Sequence, residues 1–278
     1  MNKRFINWSQ QRWRKDWRHR GWLGVTLILL FFASAGVAQS LQKVTYLYNS
    51  GFLIETANEI ILIDYIPADK LLLDSILLHK LKKATESNKR AYILVTHEHS
   101  DHFYEPLLQW HHKINGLTTI LGWDYPTTDK SILKVFNRDS ITIGSFKLIA
   151  HPSTDAGSGF LINVDNITFY HAGDHAAWAE DFTAKFTDEI KFIKRVAKEI
   201  NMVFIPIVRG KLGACKSTES ITNGAMLTLQ ILNPDMVFPM HLQCDDLTPY
   251  KTFGKQVKQR FSSIITKIPL SNNYPFTF

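Results

Sequence analysis

The sequence predicts a mixed α/β domain behind an N-terminal targeting segment, and three observations carry that reading. Short apolar runs bounded by turn residues cluster early and mid-chain. Amphipathic stretches of helical length separate the later runs. Several of those runs end on a histidine or an aspartate. Periodicity by itself reaches no further than one domain of mixed class. With 278 residues, 45% of them hydrophobic, a sizeable core is available and disorder is disfavoured.

The net charge of +7 has to be located before it means anything. Of the 32 Lys and Arg, seven (Lys3, Arg4, Arg12, Arg14, Lys15, Arg18, Arg20) lie within residues 1–38, against one acid, Asp16, of 25, which leaves 25 basic against 24 acidic residues in the remainder. A nucleic-acid enzyme carries its positive field on the folded domain. This balance therefore weighs against nuclease function, and no nucleic-acid partner is expected. The basic stretch to Arg20 precedes an apolar run, 21–32, and a small-residue end, 33–38, which is the pattern of a secretory signal. Cleavage after Ala38 or Ala35 would free a domain of residues 39–278 to the periplasm or the exterior. Trp8, Trp13, Trp17 and Trp22 suit a membrane interface, so an uncleaved anchor with membrane contact is the alternative. Cys215 and Cys244 are too few for a disulfide framework; one bond and two free thiols both stay open.

Taken in order, 44–48 reads as a strand, and 52–56 with 60–64 as a hairpin turned at Asn58. Apolar residues at helical spacing predict a surface helix over 70–83. Residues 92–95 form a buried strand, and 103–112 a short helix on which His111 and His112 read as surface residues. Strands follow at 118–121, 140–143, 146–150, 159–164 and 167–170, the last two joined by a tight turn at Asp165-Asn166. A long charged helix is expected over 179–200, a strand over 202–208, a helix over 220–232, a strand over 236–239 and a last helix over 250–261.

The chemistry concentrates in Thr96-His97-Glu98-His99-Ser100-Asp101-His102, directly after the strand 92–95. Three imidazoles and a carboxylate offer a divalent metal good ligands with no packing benefit in return. Zn²⁺ suits them first, with Mn²⁺ or Fe open because N/O sites discriminate weakly among first-row metals. His97 and His99, two apart, can point the same way from an extended segment, and Asp101 and His102 can face a second ion.

This His97-x-His99-x-Asp101-His102 pattern resembles the HxHxDH signature of the metallo-β-lactamase-fold hydrolases, a likeness running from about Val44 to the C-terminus. It implies a four-layer αββα sandwich and one or two divalent metal ions. It also implies ligands from downstream strand ends. Asp174, in His171-Ala172-Gly173-Asp174, matches the bridging aspartate, and His241, in Pro239-Met240-His241, the last histidine. Both contexts are similar to the branch containing L-ascorbate-6-phosphate lactonase. His171 and His175 read as supporting rather than ligating residues, and Trp178 as a pocket wall or a packing residue. The family's remaining histidine has no clean counterpart: His151 is the only imidazole in its region, whereas the usual position falls nearer 153–155, where Asp155 offers oxygen instead.

The resemblance thus implies a hydrolase acting on a small-molecule ester, lactone or phosphoester. His97, His99 and either His151 or Asp155 would hold one ion. Asp101, His102 and His241 would hold the other, with Asp174 between and Asp101 as ligand or catalytic base. Arg209, Lys211 or Lys216 would meet an anionic substrate, unless that loop is simply a solvated basic one. A non-catalytic metal-binding or sensing module of the same fold is the main rival.

Overall fold

The computed structural model describes residues 41–68, 71–180, 183–210, 215–271 and 276–277. The targeting segment expected at 1–38 lies outside the described residues, as does Lys211. No helix among the described residues is long and apolar enough to cross a membrane.

Among the described residues, two seven-stranded sheets make the centre of the fold. The first contains β1 (Leu41–Tyr48), β2 (Gly51–Thr56), β3 (Glu59–Ile63), β4 (Arg90–Val95), β5 (Leu117–Gly122) and β6 (Leu133–Val135), with β14 (Phe276–Thr277) beside β1. The second runs from β7 (Ser140–Ile143) through β8 (Phe146–Pro152), β9 (Ser158–Val164), β10 (Ile167–His171), β11 (Met202–Pro206) and β12 (Met236–Met240) to β13 (Ile265–Thr266). Each sheet is antiparallel in its first half and parallel in its second. Pairing turns parallel at β3–β4 in one and at β10–β11 in the other. Helices α1 (Leu71–Glu86) and α2 (Pro106–Lys113) belong to the first half. Helices α3 (Thr183–Val196), α4 (Glu219–Leu232) and α5 (Thr248–Arg260) belong to the second.

Side-chain alternation explains the layering. In the first sheet Tyr46, Phe52, Ile54, Ile61, Ile63, Tyr92 and Leu94 join the core shared with the second sheet. Their neighbours Leu47, Leu53, Ile60, Leu62, Ile93 and Val95 instead meet Leu77 and Leu81 of α1 and Leu107 and Trp110 of α2. Such strands are apolar on both sides because both sides are covered. The second sheet is backed by Phe186 and Ile190 of α3, Leu229 of α4, and Tyr250 and Phe253 of α5. Aromatic pairs join the sheets: Tyr92 stacks on Phe146 at 4.2 Å, and Phe52 meets Phe204 edge-on at 4.6 Å. The result is the four-layer αββα sandwich.

At the end away from the strand tips that matter below, polar groups fasten the sheets. Asp165 accepts from Thr56 Oγ1 (2.7 Å), Asn58 N (2.8 Å) and Asn58 Nδ2 (2.9 Å). Arg90 and Ser145 both donate to Glu59. The turn at Asp165 and Asn166 has φ +48° and +62°, the type I′ geometry that a two-residue hairpin requires.

Three expectations shift. Helix α2 starts at Pro106 rather than 103, because proline suits the first helical position. Phe103 packs on Tyr125 at 4.3 Å instead. Helix α3 covers Thr183–Val196 of the expected 179–200, ending before Ile200. Strands β6, β13 and β14, of two or three residues, are too short to show a period and were not expected.

Candidate metal centre

Parallel strands of both sheets end at one place, and their C-terminal tips carry the side chains of interest. His97, His99, Asp101 and His102 follow β4, Asp174 follows β10, and His241 follows β12. The turns that aim them are tight. Gly173 has φ +54°, and a Cβ there would stand 2.7 Å from the Ser158 carbonyl. Gly157 has φ +59° and lies against His97, where a Cβ would overlap the His97 Cβ and approach Thr96 O to 2.6 Å. Asn49, Asp64 and His241 hold left-handed backbone without being glycine, with φ of +51°, +46° and +73°. Conformations of that kind collect at functional sites.

Asp174 is the hub. Its Oδ2 lies 3.2 Å from His97 Nε2 and 3.6 Å from His99 Nδ1; its Oδ1 lies 2.9 Å from His102 Nε2 and 3.1 Å from His241 Nε2. Asp101 Oδ2 lies 3.4 Å from His241 Nε2 and 4.0 Å from His102 Nε2. Two overlapping groups have ligand atoms close enough to share an ion: His97, His102 and Asp174, and Asp101, His102 and His241. All of them are buried except Asp101, which is partly so.

A second layer fixes which nitrogen faces inward. Asp64, fully buried at the tip of β3, accepts from Thr96 N (2.8 Å), from Thr96 Oγ1 (2.7 Å) and from His102 Nδ1 (2.8 Å). Thr96 Oγ1, its hydrogen already committed to Asp64, takes the Nδ1–H of His97 at 3.0 Å. His241 Nδ1 is held between the Val208 carbonyl (2.9 Å) and Gly210 N (3.0 Å). With Nδ1 so engaged, each of these imidazoles turns Nε2 toward the centre, the nitrogen that a metal ion takes when it displaces a proton. Those Nε2 atoms, with Asp174 Oδ1, are buried and have no hydrogen-bond partner among the described residues. Leaving four buried polar atoms unsatisfied in one spot is costly. A divalent cation satisfies all of them at once, so the residues fit the group that the sequence implied.

The electrostatics agree. Burial works against every charge here, yet the carboxylates and imidazoles hold one another ionised. His102 is raised well above the ordinary histidine range by Asp174 and Asp64 against that burial. His241 is brought up to about 9, burial opposing and Asp174 and Asp101 prevailing. For Asp101, burial is outweighed by His241 and His102, which bring the carboxyl down to about 2. Protons thus stand in where a cation would.

Of the residues singled out in the sequence, His97, His99, Asp101, His102, Asp174 and His241 come together. His151 does not. It is buried elsewhere, with Nδ1 on the Pro152 carbonyl (3.0 Å) and near Glu189 (3.6 Å), and its ring against His175 at 4.9 Å. The strand β8 continues through His151 to Pro152, so its alternation sends that side chain away from the centre. Asp155 instead lines the cavity above the centre, a space of about 330 Å³ also walled by Trp178 and Arg209. Trp178 does both of the things expected of it, lining the cavity while donating from Nε1 to the Asp174 carbonyl (2.8 Å). Lys216 borders a different cavity, beside Cys215. Cys215 and Cys244 form a disulfide, Cα atoms 6.1 Å apart. His171 is a supporting residue, bonded through Nε2 to the Ser50 carbonyl (3.0 Å). His111 and His112 sit on α2, paired with Thr119 and Asp129.

Sequence reasoning passed over three residues. Asp64 follows the apolar run 60–63, the same cue that marks Asp174 and His241, yet a lone aspartate there looks like an ordinary strand end. Gln243 donates to Asp101 Oδ2 at 2.7 Å, and Asn49 to the Asp101 carbonyl at 2.8 Å. Nothing in their local sequence marks them.

Comparison with known proteins follows the same line. Residues 43–241 match the family model described as beta-lactamase superfamily domain. No curated protein matches the chain. Among solved structures it resembles Igni18, a metallo hydrolase from the hyperthermophilic archaeon Ignicoccus hospitalis, with 19% identity, TM-score 0.58, and 86% of this chain and 99% of that one covered. It also resembles CmlA, a diiron beta-hydroxylase from Streptomyces venezuelae (14% identity, TM-score 0.56, 87% of this chain and 54% of that one). The chain thus spans about half the length of CmlA. A third likeness is to isothiocyanate hydrolase from Delia radicum gut bacteria, at 13% identity, TM-score 0.51, and 85% and 98% coverage. At these identities the likeness is one of fold. That fold implies binding of divalent metal, and the matched stretch contains the whole motif series from His97 to His241: the chain belongs to the beta-lactamase superfamily and has the metallo-beta-lactamase fold.

Proposed function

We propose that this protein is a metal-dependent hydrolase of small ester, lactone or phosphoester substrates. The observation that carries the proposal is the convergence of His97, His102 and His241 Nε2 on Asp174, all four side chains buried and those Nε2 atoms and Asp174 Oδ1 without a hydrogen-bond partner among the described residues. His97 and His99 serve one side of Asp174, and Asp101, His102 and His241 the other. Divalent ions held there, Zn²⁺ first with Mn²⁺ or Fe as alternatives, supply Lewis acidity and make water a nucleophile near neutral pH. Asp101, at a pKa of about 2, is a poor proton acceptor and suits the role of ligand better than that of base. Trp178 shields one wall from water, and Arg209, exposed at the rim, suits an anionic substrate group. Hydrolase names among the structural neighbours support the reaction class without specifying the bond. The lactonase-like contexts at 171–174 and 239–241 make ring opening one candidate. The N-terminal pattern and the disulfide support work outside the cytoplasm.

The test is turnover of an ester, lactone and phosphodiester panel by metal-loaded protein, beside its Asp174→Asn variant. Activity on at least one class, reduced a hundred-fold or more in a variant that still folds, is expected. A fully loaded protein inert on every class would favour a sensing module.

A further inference from the structure

The loop between β8 and β9 is held on both sides of Asp155. Thr154 Oγ1 donates to the Ala176 carbonyl (2.6 Å) and accepts from Ala176 N (3.0 Å), tying the loop to the segment just after Asp174. Ser153 N donates to the Gly157 carbonyl (3.3 Å), closing the loop, and Gly157 lies directly on His97. Between those anchors Asp155, itself exposed, lines the same cavity as His99 and Asp174. Nothing among the described residues pairs with the Asp155 carboxylate.

The two sides of Asp174 are also unlike. On one, His102 and His241 are buried, and Asp101 is clasped by Gln243. On the other, the His99 side chain is 46% exposed, and no third histidine arrives because His151 is turned away.

From this geometry we propose that Asp155 is a metal ligand of this chain, an oxygen donor beside His97, His99 and Asp174, which makes the centre a tight half and a looser, exchangeable half. The inference rests on the metal-centre reading above. A carboxylate in place of imidazole weakens the preference of the loose half for Zn²⁺ over harder ions such as Mn²⁺.

Titration of the chelator-stripped full chain with Zn²⁺, and separately with Mn²⁺, tests it by stoichiometry and affinity rather than by activity. Two binding events at least ten-fold apart are expected. Asp155→Ala should lose the weaker event and keep the tighter within three-fold. Asp155→His should restore the second event and raise its preference for Zn²⁺ over Mn²⁺ at least ten-fold. Two unchanged events in Asp155→Ala would overturn this proposal and leave the metal-centre reading standing, as would loss of both events or a histidine variant that regains nothing. A wild-type chain that takes up no ion would sink both.

Discussion

At the residue scale the side chain that matters most after the ligands is Asp64, which touches no reacting atom. It spends one oxygen on Thr96 N and the other on Thr96 Oγ1 and His102 Nδ1, and so sets the tautomer of two imidazoles. Burial penalises its charge, but His102, His171 and His97 keep its carboxyl below the ordinary aspartate value. Asp64→Asn puts an amide nitrogen against groups that are all donors. Metal affinity is expected to fall about 10–100-fold, the usual loss when an outer partner of a ligating histidine is removed. Chelator competition measures it, and an unchanged dissociation constant would show that the Nε2 lone pairs are aimed without Asp64. His151 teaches the complementary lesson. An imidazole in the right region of sequence is worth nothing as a ligand when strand alternation turns it away.

At the element scale, the strand tips carry the centre while the opposite ends hold the sheets in register. The Asp165 turn of β9–β10 reaches across to the β2–β3 turn through Thr56 and Asn58. Against a partial burial penalty, those donors lower the Asp165 pKa. A carboxylate depressed on folding contributes stability above its unfolded pKa of about 3.9 and loses it as pH falls through the folded value. Asp165→Ala should therefore be less stable than wild type at pH 7 by about 1–2 kcal/mol. The gap should narrow below about pH 4 as the wild-type carboxylate itself protonates. Urea denaturation across pH checks this; a gap that widens in acid contradicts the assignment. Loss of activity at pH 7 is not expected, because the turn lies at the end of the sandwich remote from Asp174.

For the whole molecule, the centre couples folding, protons and metal. Without an ion the carboxylates hold His102 and His241 protonated against burial, and His241 holds its proton up to about pH 9. An ion binding at neutral pH must displace that proton, so binding should release protons and tighten as pH rises toward 9. Calorimetric titration with Zn²⁺ in buffers of different ionisation enthalpy reads the release directly, and heats independent of buffer would count against the linkage. Because only the folded chain assembles ligands from three separate strand tips, metal should also raise the thermal midpoint in proportion to its excess over the dissociation constant.

The order of strands and helices was legible in the chain because apolar runs and turn residues are local signals. The ligands His97, His99, Asp101, His102, Asp174 and His241 were legible because each follows such a run. The sequence by itself determined those elements, the chemistry at their ends and the family they resemble. The helix start near 103–106 was less legible, since Phe103 packs against Tyr125 there. Only the tertiary structure decided that Asp64 orients the histidines, that Asp155 rather than His151 lines the cavity at the centre, and that Cys215 meets Cys244. Those outcomes depend on which way side chains from distant strands point once two sheets pack face to face, and that direction is absent from any single stretch of chain.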